Sequence, residues 1–89
     1  MRKLGEARVE VPEISGLAYH PRRDSLFAVG DDAGKAFELS RSEPGRILAE
    51  IDLEKGNRYD LEGIAVAPDG ETLLVVAEKK RRVLRYDLT

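Results

Sequence analysis

The sequence predicts an all-β chain, and three observations predict it. Apolar residues come in short runs or alternations, clusters of Gly, Pro and Asp interrupt them about every ten residues, and no window carries apolar residues at helical spacing. Arg8 to Val11 alternates polar with apolar residues, and Ile14 to Tyr19 is a mostly apolar run ending at the turn His20-Pro21-Arg22-Arg23-Asp24. Leu26 to Val29 follows, and Gly30-Asp31-Asp32-Ala33-Gly34 turns the chain into Lys35 to Leu39. Glu43-Pro44-Gly45 turns it again into Ile47 to Leu53, where Ala49, Ile51 and Leu53 alternate with Glu50 and Asp52. The second half repeats the order: Leu61 to Ala67, the turn Pro68-Asp69-Gly70, Leu73 to Ala77, the charged turn Lys79-Lys80-Arg81-Arg82, and Val83 to Leu88. A fourth strand is missing from that half.

A shift of 47 positions lays Ile14–Ser40 on Leu61–Asp87 without a gap. Gly16 meets Gly63, Ala18 meets Ala65, Pro21 meets Pro68, Leu26 meets Leu73 and Val29 meets Val76, while Leu17/Ile64 and Phe27/Leu74 pair conservatively. A four-stranded unit recurring at roughly 40 to 50 residues is the signature of a β-propeller blade. The expected organisation is two antiparallel four-stranded blades per chain. Residues 13–54 form the first blade, residues 55–89 the second with three strands, and residues 1–12 a displaced outer strand. Glu6–Val11 has the alternation of Leu48–Leu53 and precedes a first strand just as that segment does. It is expected to pair with Val83–Leu88 of a neighbouring subunit, so that a closed ring arises by oligomerisation. The blade count must then be even. A trimer of six blades is the first expectation and a tetramer of eight the second.

Composition narrows the partners. Fifteen Lys+Arg against seventeen Asp+Glu give a formal charge of −2, without the basic excess that nucleic acid or an anionic membrane would select. The absence of cysteine excludes a disulfide framework and thiolate metal sites. The longest apolar run, Leu73 to Ala77, is far below the roughly 20 residues of a membrane span, and Met1-Arg2-Lys3-Leu4 leads into charge, so a soluble chain is expected; no compartment is assigned.

Through Glu13-Ile14-Ser15-Gly16-Leu17-Ala18-Tyr19, Leu26-Phe27-Ala28-Val29-Gly30-Asp31, Asp60-Leu61-Glu62-Gly63-Ile64-Ala65 and Val75-Val76-Ala77-Glu78-Lys79, the chain resembles the SdiA-regulated propeller family over nearly its whole length. It is similar, more distantly, to esterase-like and calcium-dependent propeller phytases, in which an Glu-Gly pair opens the inner strand and an Ala-Glu pair closes the second. Here those pairs are Glu62-Gly63 and Ala77-Glu78. Members of the family are normally several blades longer, and two blades suggest an excised, ancestral-like or engineered double blade.

Glu62 and Glu78 are the first candidates for chemistry, because in a blade the start of the inner strand and the end of the second lie at the same end, near the axis. With Asp31 as a further ligand they form a candidate metal set, and a symmetric ring would repeat Glu62 once per subunit. Calcium suits such an oxygen-rich set, whereas the absence of Cys and of a second His argues against zinc. The plain alternative is that Glu62 caps a strand or pairs with Arg58 or Lys79, and that Asp31 and Asp32 only shape a turn. Gly30 to Lys35 is one residue short of a phosphate loop, with Ala36 where a hydroxyl is needed. Lys79 to Arg82 reads as a solvated hairpin. His20, the only histidine, has no Cys or Gly-x-Ser-x-Gly elbow to serve. The leading expectation is a self-assembling module without catalytic activity of its own. An axial cation or small-ligand binding propeller, and a metal-dependent phosphoester hydrolase, are the alternatives.

Overall fold

The computed structural model describes residues 1–11, 14–30, 34–53, 61–77 and 81–88. Seven strands appear: β1 (Ile14–His20), β2 (Ser25–Gly30), β3 (Lys35–Ser40), β4 (Ile47–Asp52), β5 (Leu61–Val66), β6 (Thr72–Ala77) and β7 (Arg82–Asp87). Each begins and ends within two residues of the apolar runs that predict it. They form two antiparallel meanders, a four-stranded sheet β1-β2-β3-β4 and a three-stranded sheet β5-β6-β7. No helix long and apolar enough to cross a membrane occurs among the described residues.

The repeat is geometric as well as sequential. Register in the two sheets matches under the shift of 47: Ala18↔Phe27 answers Ala65↔Leu74, and Val29↔Ala36 answers Val76↔Val83. Each first hairpin has a register irregularity at the same place, between Ile14 and Gly16 in one sheet and between Leu61 and Gly63 in the other. Gly34 and Arg81 are also counterparts, and both adopt a left-handed backbone, at φ 61° and 54°. For glycine that region costs nothing, whereas Arg81 is held there by the hairpin it enters.

Strand alternation sends side chains to opposite faces. Phe27, Val29 and Ala36 of the first sheet meet Leu61, Leu73, Val75 and Ala77 of the second in the main core. Leu53, just past β4, and Ile51 within it also join that core, beside Leu84 and Tyr86 of β7. On the opposite face of the first sheet Ala28, Phe37 and Leu39 form a smaller cluster, covered by Val11 and flanked by Val9.

The N-terminal segment departs from its sequence pattern. Its alternation reads as a strand, yet within the single chain residues 1–11 pair with no sheet. A strand exists only where an edge receives it, and the expected edge belongs to another copy. The segment lies instead on the first sheet's outer face, with Val11 buried and the Arg8 carbonyl against Gly45. Gly45 has φ 89°, and a Cβ there would collide with that oxygen, so only glycine fits this turn.

Candidate functional site

The contact between the two sheets sets the standard for any further contact the chain can make. At its narrowest point two glycines meet. A Cβ on Gly16 would stand 3.1 Å from Gly63 Cα and 3.3 Å from Ile64 N, so the backbones of β1 and β5 touch without side chains between them. Ser15, the extra residue of the β1 irregularity, donates its hydroxyl to the Leu61 carbonyl across the interface. A β-bulge commonly re-aims a side chain in this way.

His20, the last residue of β1, is fully buried, and its ring tilts against Phe27 with centroids 5.9 Å apart. Nδ1 accepts the Arg23 N–H at 3.2 Å, which leaves Nε2 to donate to the Gly70 carbonyl at 2.7 Å. The lone histidine thus ties one sheet to the other, with both ring nitrogens held by backbone groups. Arg23 does similar work: it donates to Glu38 at 3.3 Å and to the Leu88 carbonyl at 3.2 Å, and its guanidinium lies over Phe27. Glu38 is held from its other oxygen by Ser25 at 2.6 Å. Neither the His20–Gly70 nor the Arg23–Leu88 contact has a sequence signal, because each joins residues at least 50 positions apart.

Both outward faces expose apolar side chains, the first beside the N-terminal segment that covers part of it. Ile14, Leu17 and Tyr19 of β1 are exposed on the first sheet, Leu17 at 55%. Val76 and Val83 are exposed on the second, at 41% and 63%. Under the shift of 47 each has a counterpart in the core between the sheets. Ile14, Leu17 and Tyr19 correspond to Leu61, Ile64 and Val66, and Val76 and Val83 correspond to Val29 and Ala36. Each sheet therefore exposes the surface type that the other one buries. A cavity of about 270 Å³ opens on the first face, lined among others by Val9, Ile14, Leu17, Leu26 and Leu39.

At the rim of that face Tyr19 Oη donates to Asp24 Oδ1 at 2.8 Å, and Arg41 grips the same carboxylate through Nε at 2.5 Å and Nη2 at 3.1 Å. The Arg41 hydrogen bonds, then that of Tyr19, hold the Asp24 carboxyl below its ordinary range. Accepting no proton itself, Asp24 in turn keeps the Tyr19 hydroxyl protonated to higher pH than usual. Asp24 sits at φ 50°, where Asp and Asn are tolerated better than most residues.

Of the carboxylates that the sequence singles out, Glu62 is half-buried at the β5 irregularity, the counterpart position of Ser15, and it is engaged by a neighbouring group. Glu78 and Asp31 lie outside the described residues, as do Asp32, Arg58, Tyr59 and Lys79. No group of three or more possible metal-binding His, Cys, Asp or Glu residues occurs among the described residues. Phe27 and Phe37 are both buried in packing.

 Phe27 at 0% exposure and Phe37 at 3% fill the two clusters on opposite faces of the first sheet.

No curated protein matches the chain. The model of the SdiA-regulated family matches residues 6–89, which takes in both sheets and most of the N-terminal segment. With that match covering nearly the whole sequence, the chain belongs to the SdiA-regulated family.

Proposed function

We propose that the chain is a self-assembling β-propeller module: each sheet is a blade, and copies join head to tail, the open face of the second blade docking on the open face of the first, until a ring closes. The observation that carries this reading is the counterpart relation of the exposed apolar residues. Ile14, Leu17 and Tyr19 hold the places of residues that face the first blade within the chain, and Val76 and Val83 hold the places of residues that face the second. An unlike-to-unlike contact of this kind is heterologous, and repeating it about an axis produces a ring. Exposed apolar faces and an open sheet edge are commonly covered by another chain.

Two blades per chain require an even blade count. Three chains, making six blades, is the preferred ring, and four chains making eight is the second choice within the roughly four to eight blades usual for propellers. Light scattering on the purified chain tests this directly. A trimer has a mass of about 30 kDa, three times the 9.9 kDa of the chain. A monodisperse monomer that melts cooperatively at micromolar concentration overturns the proposal.

A further inference from the structure

The head-to-tail reading brings two unmatched elements together: the outer edge of β7, which pairs only with β6 among the described residues, and the N-terminal segment, which pairs with no sheet. We propose that residues 7–10 of one copy add to β7 of another as its fourth strand, in a fixed register that sets Glu10 opposite Arg82. This rests on the assembly proposed above and specifies how its seam is sewn.

The packing of the segment supplies the first argument. Glu6–Val11 corresponds to Leu48–Leu53, so that Val9 answers Ile51 and Val11 answers Leu53. Ile51 and Leu53 pack in the cluster that holds Leu84 and Tyr86 of β7. Val9 and Val11 pack in the cluster that holds Phe37 and Leu39, the counterparts of Leu84 and Tyr86. Relative to the first sheet, the segment thus already occupies the place that β4 occupies relative to the second sheet. Since β4 belongs to the preceding sheet, so by the same geometry does the segment, and the preceding sheet is the other copy's. The segment need not move: the incoming β7 meets it where it lies, anchored by Arg8 against Gly45.

Register and charge supply the second argument. In the β3–β4 pair Lys35 faces Asp52, Ala36 faces Ile51 and Phe37 faces Glu50. Their counterparts place Arg82 opposite Glu10, Val83 opposite Val9 and Leu84 opposite Arg8. The ion pair Lys35 Nζ–Asp52 Oδ1, at 3.9 Å, becomes Arg82 with Glu10, its signs preserved. Val83, exposed in the single chain, gains an apolar cross-strand partner. Within the chain Glu10 pairs with Arg8 at 2.8 Å, an exposed contact that assembly can exchange.

The chain has no cysteine, which makes a disulfide test clean. The Leu53 N–H donates to the Gly34 carbonyl at 3.0 Å, so Gly34 and Leu53 are a hydrogen-bonded pair and Lys35 and Asp52 a non-hydrogen-bonded one, with the closer Cα spacing. The same holds for position 10 opposite position 82, within reach of a disulfide. The experiment mixes the full-length single variants Glu10→Cys and Arg82→Cys, unfolds and refolds them together, and oxidises them mildly. Light scattering on the reduced mixture counts the subunits, and peptide mass spectrometry locates the bonds. The expected result is a 10–82 disulfide between chains and none in a parallel mixture of Glu10→Cys with Arg85→Cys. An assembled protein that forms no 10–82 bond, or forms both equally, overturns the strand register while leaving head-to-tail assembly in place. A monomeric reduced mixture, with monomeric unsubstituted protein beside it, overturns both. Hydrogen exchange on the unsubstituted protein gives an independent reading: the amides of Ala7, Val9, Val83 and Arg85, the hydrogen-bonding positions of this register, gain protection together as concentration drives assembly, and assembly without that gain also overturns the register.

Discussion

Substituting Gly63 by alanine separates the fold of the chain from its association, because the glycine has a near neighbour in one state only. Within the single chain a Cβ at Gly63 meets nothing closer than the Val76 side chain at 3.8 Å, an ordinary contact. At the counterpart Gly16 a Cβ would stand 3.1 Å from Gly63 Cα and 3.3 Å from Ile64 N, both backbone atoms that cannot turn aside. If copies dock as the sheets do within the chain, Gly63 of one copy meets Gly16 and the Leu17 amide of the next at the same separations. The added methyl then forces that interface apart by a few tenths of an ångström. Overpacking of this kind costs about 1–3 kcal/mol, hence a roughly 5- to 150-fold weaker association at each interface. The single chain is unharmed, since replacing a glycine at a compatible backbone position restricts the unfolded state and adds about 0.4–1 kcal/mol of stability. Sedimentation equilibrium over a concentration series reads the first effect, and denaturant melts under dissociating dilution read the second. Gly16→Ala behaves in the opposite way, destabilising the dilute chain itself. Undiminished association of Gly63→Ala, with the stability of the dilute chain unchanged or raised, refutes the docking geometry.

Four further outcomes are expected, two for association and two for the stability of the chain. Leu17→Asp and Val83→Asp each bury a carboxylate in an apolar contact, at about 3 kcal/mol or more, so that association falls more than ~100-fold while circular dichroism of the dilute chain is preserved. Leu74 is the counterpart of Phe27, and the cavity lined by Ile14, Leu17, Leu26 and Leu39 matches the ground that Phe27 covers within the chain; Leu74→Phe is expected to tighten association by about 1 kcal/mol, roughly fivefold, in a dilution series. Asp24 is held below its ordinary value of 3.8, so the folded chain binds fewer protons than the unfolded one and the contribution is lost as pH falls below about 4; melting temperature recorded from pH 6 to pH 2 is expected to fall less steeply for Asp24→Asn, which keeps the left-handed turn. Arg81→Gly relieves a left-handed non-glycine residue at φ 54° and is expected to raise stability by about 0.5–1 kcal/mol in denaturant melts.

The strands were legible because each apolar run is bounded by a turn with its own chemistry, such as Pro68-Asp69-Gly70, where Asp69 Oδ1 accepts the Glu71 N–H at 2.8 Å. The repeat was legible from Gly16/Gly63 and Leu26/Leu73, and register bears it out strand by strand. Other features depend on what faces what. In the continuous apolar run Leu73 to Ala77, Val76 stays 41% exposed because the chain covers only one face of the second sheet. The alternation of Glu6–Val11 encodes a strand, but no pattern within it says where the receiving edge lies. The cluster of Tyr19, Asp24 and Arg41 has no local sequence pattern, because β-sheet register brings position 41 back to position 24. Glu62 reads from the sequence as the opening of its strand, and the structure puts it at a bulge in the second sheet whose counterpart in the first holds Ser15.

The two kinds of interface in the proposed ring share a shape but differ in their polar anchors. Within the chain Ser15, His20 and Arg23 reach across to the carbonyls of Leu61, Gly70 and Leu88. Their counterparts on the second blade are Glu62, Ala67 and Gly70, and the last two have no side-chain donor to offer the next copy. On that proposal the repeat keeps apolar and backbone complementarity at both interfaces, glycine against glycine, while its side-chain hydrogen bonds to carbonyls are concentrated inside the chain. A buried, fully satisfied polar contact fixes one geometry and is costly to break, whereas an apolar contact mainly contributes area. In the proposed ring the intrachain contact is the rigid one, and contacts between copies would depend on apolar burial together with the ladder that residues 7–10 would add to β7. If that ring forms, losing the strand would remove backbone hydrogen bonds that Ala67 and Gly70 have no side-chain donor to replace, and the N-terminal segment would matter more to assembly than its exposed position in the single chain suggests.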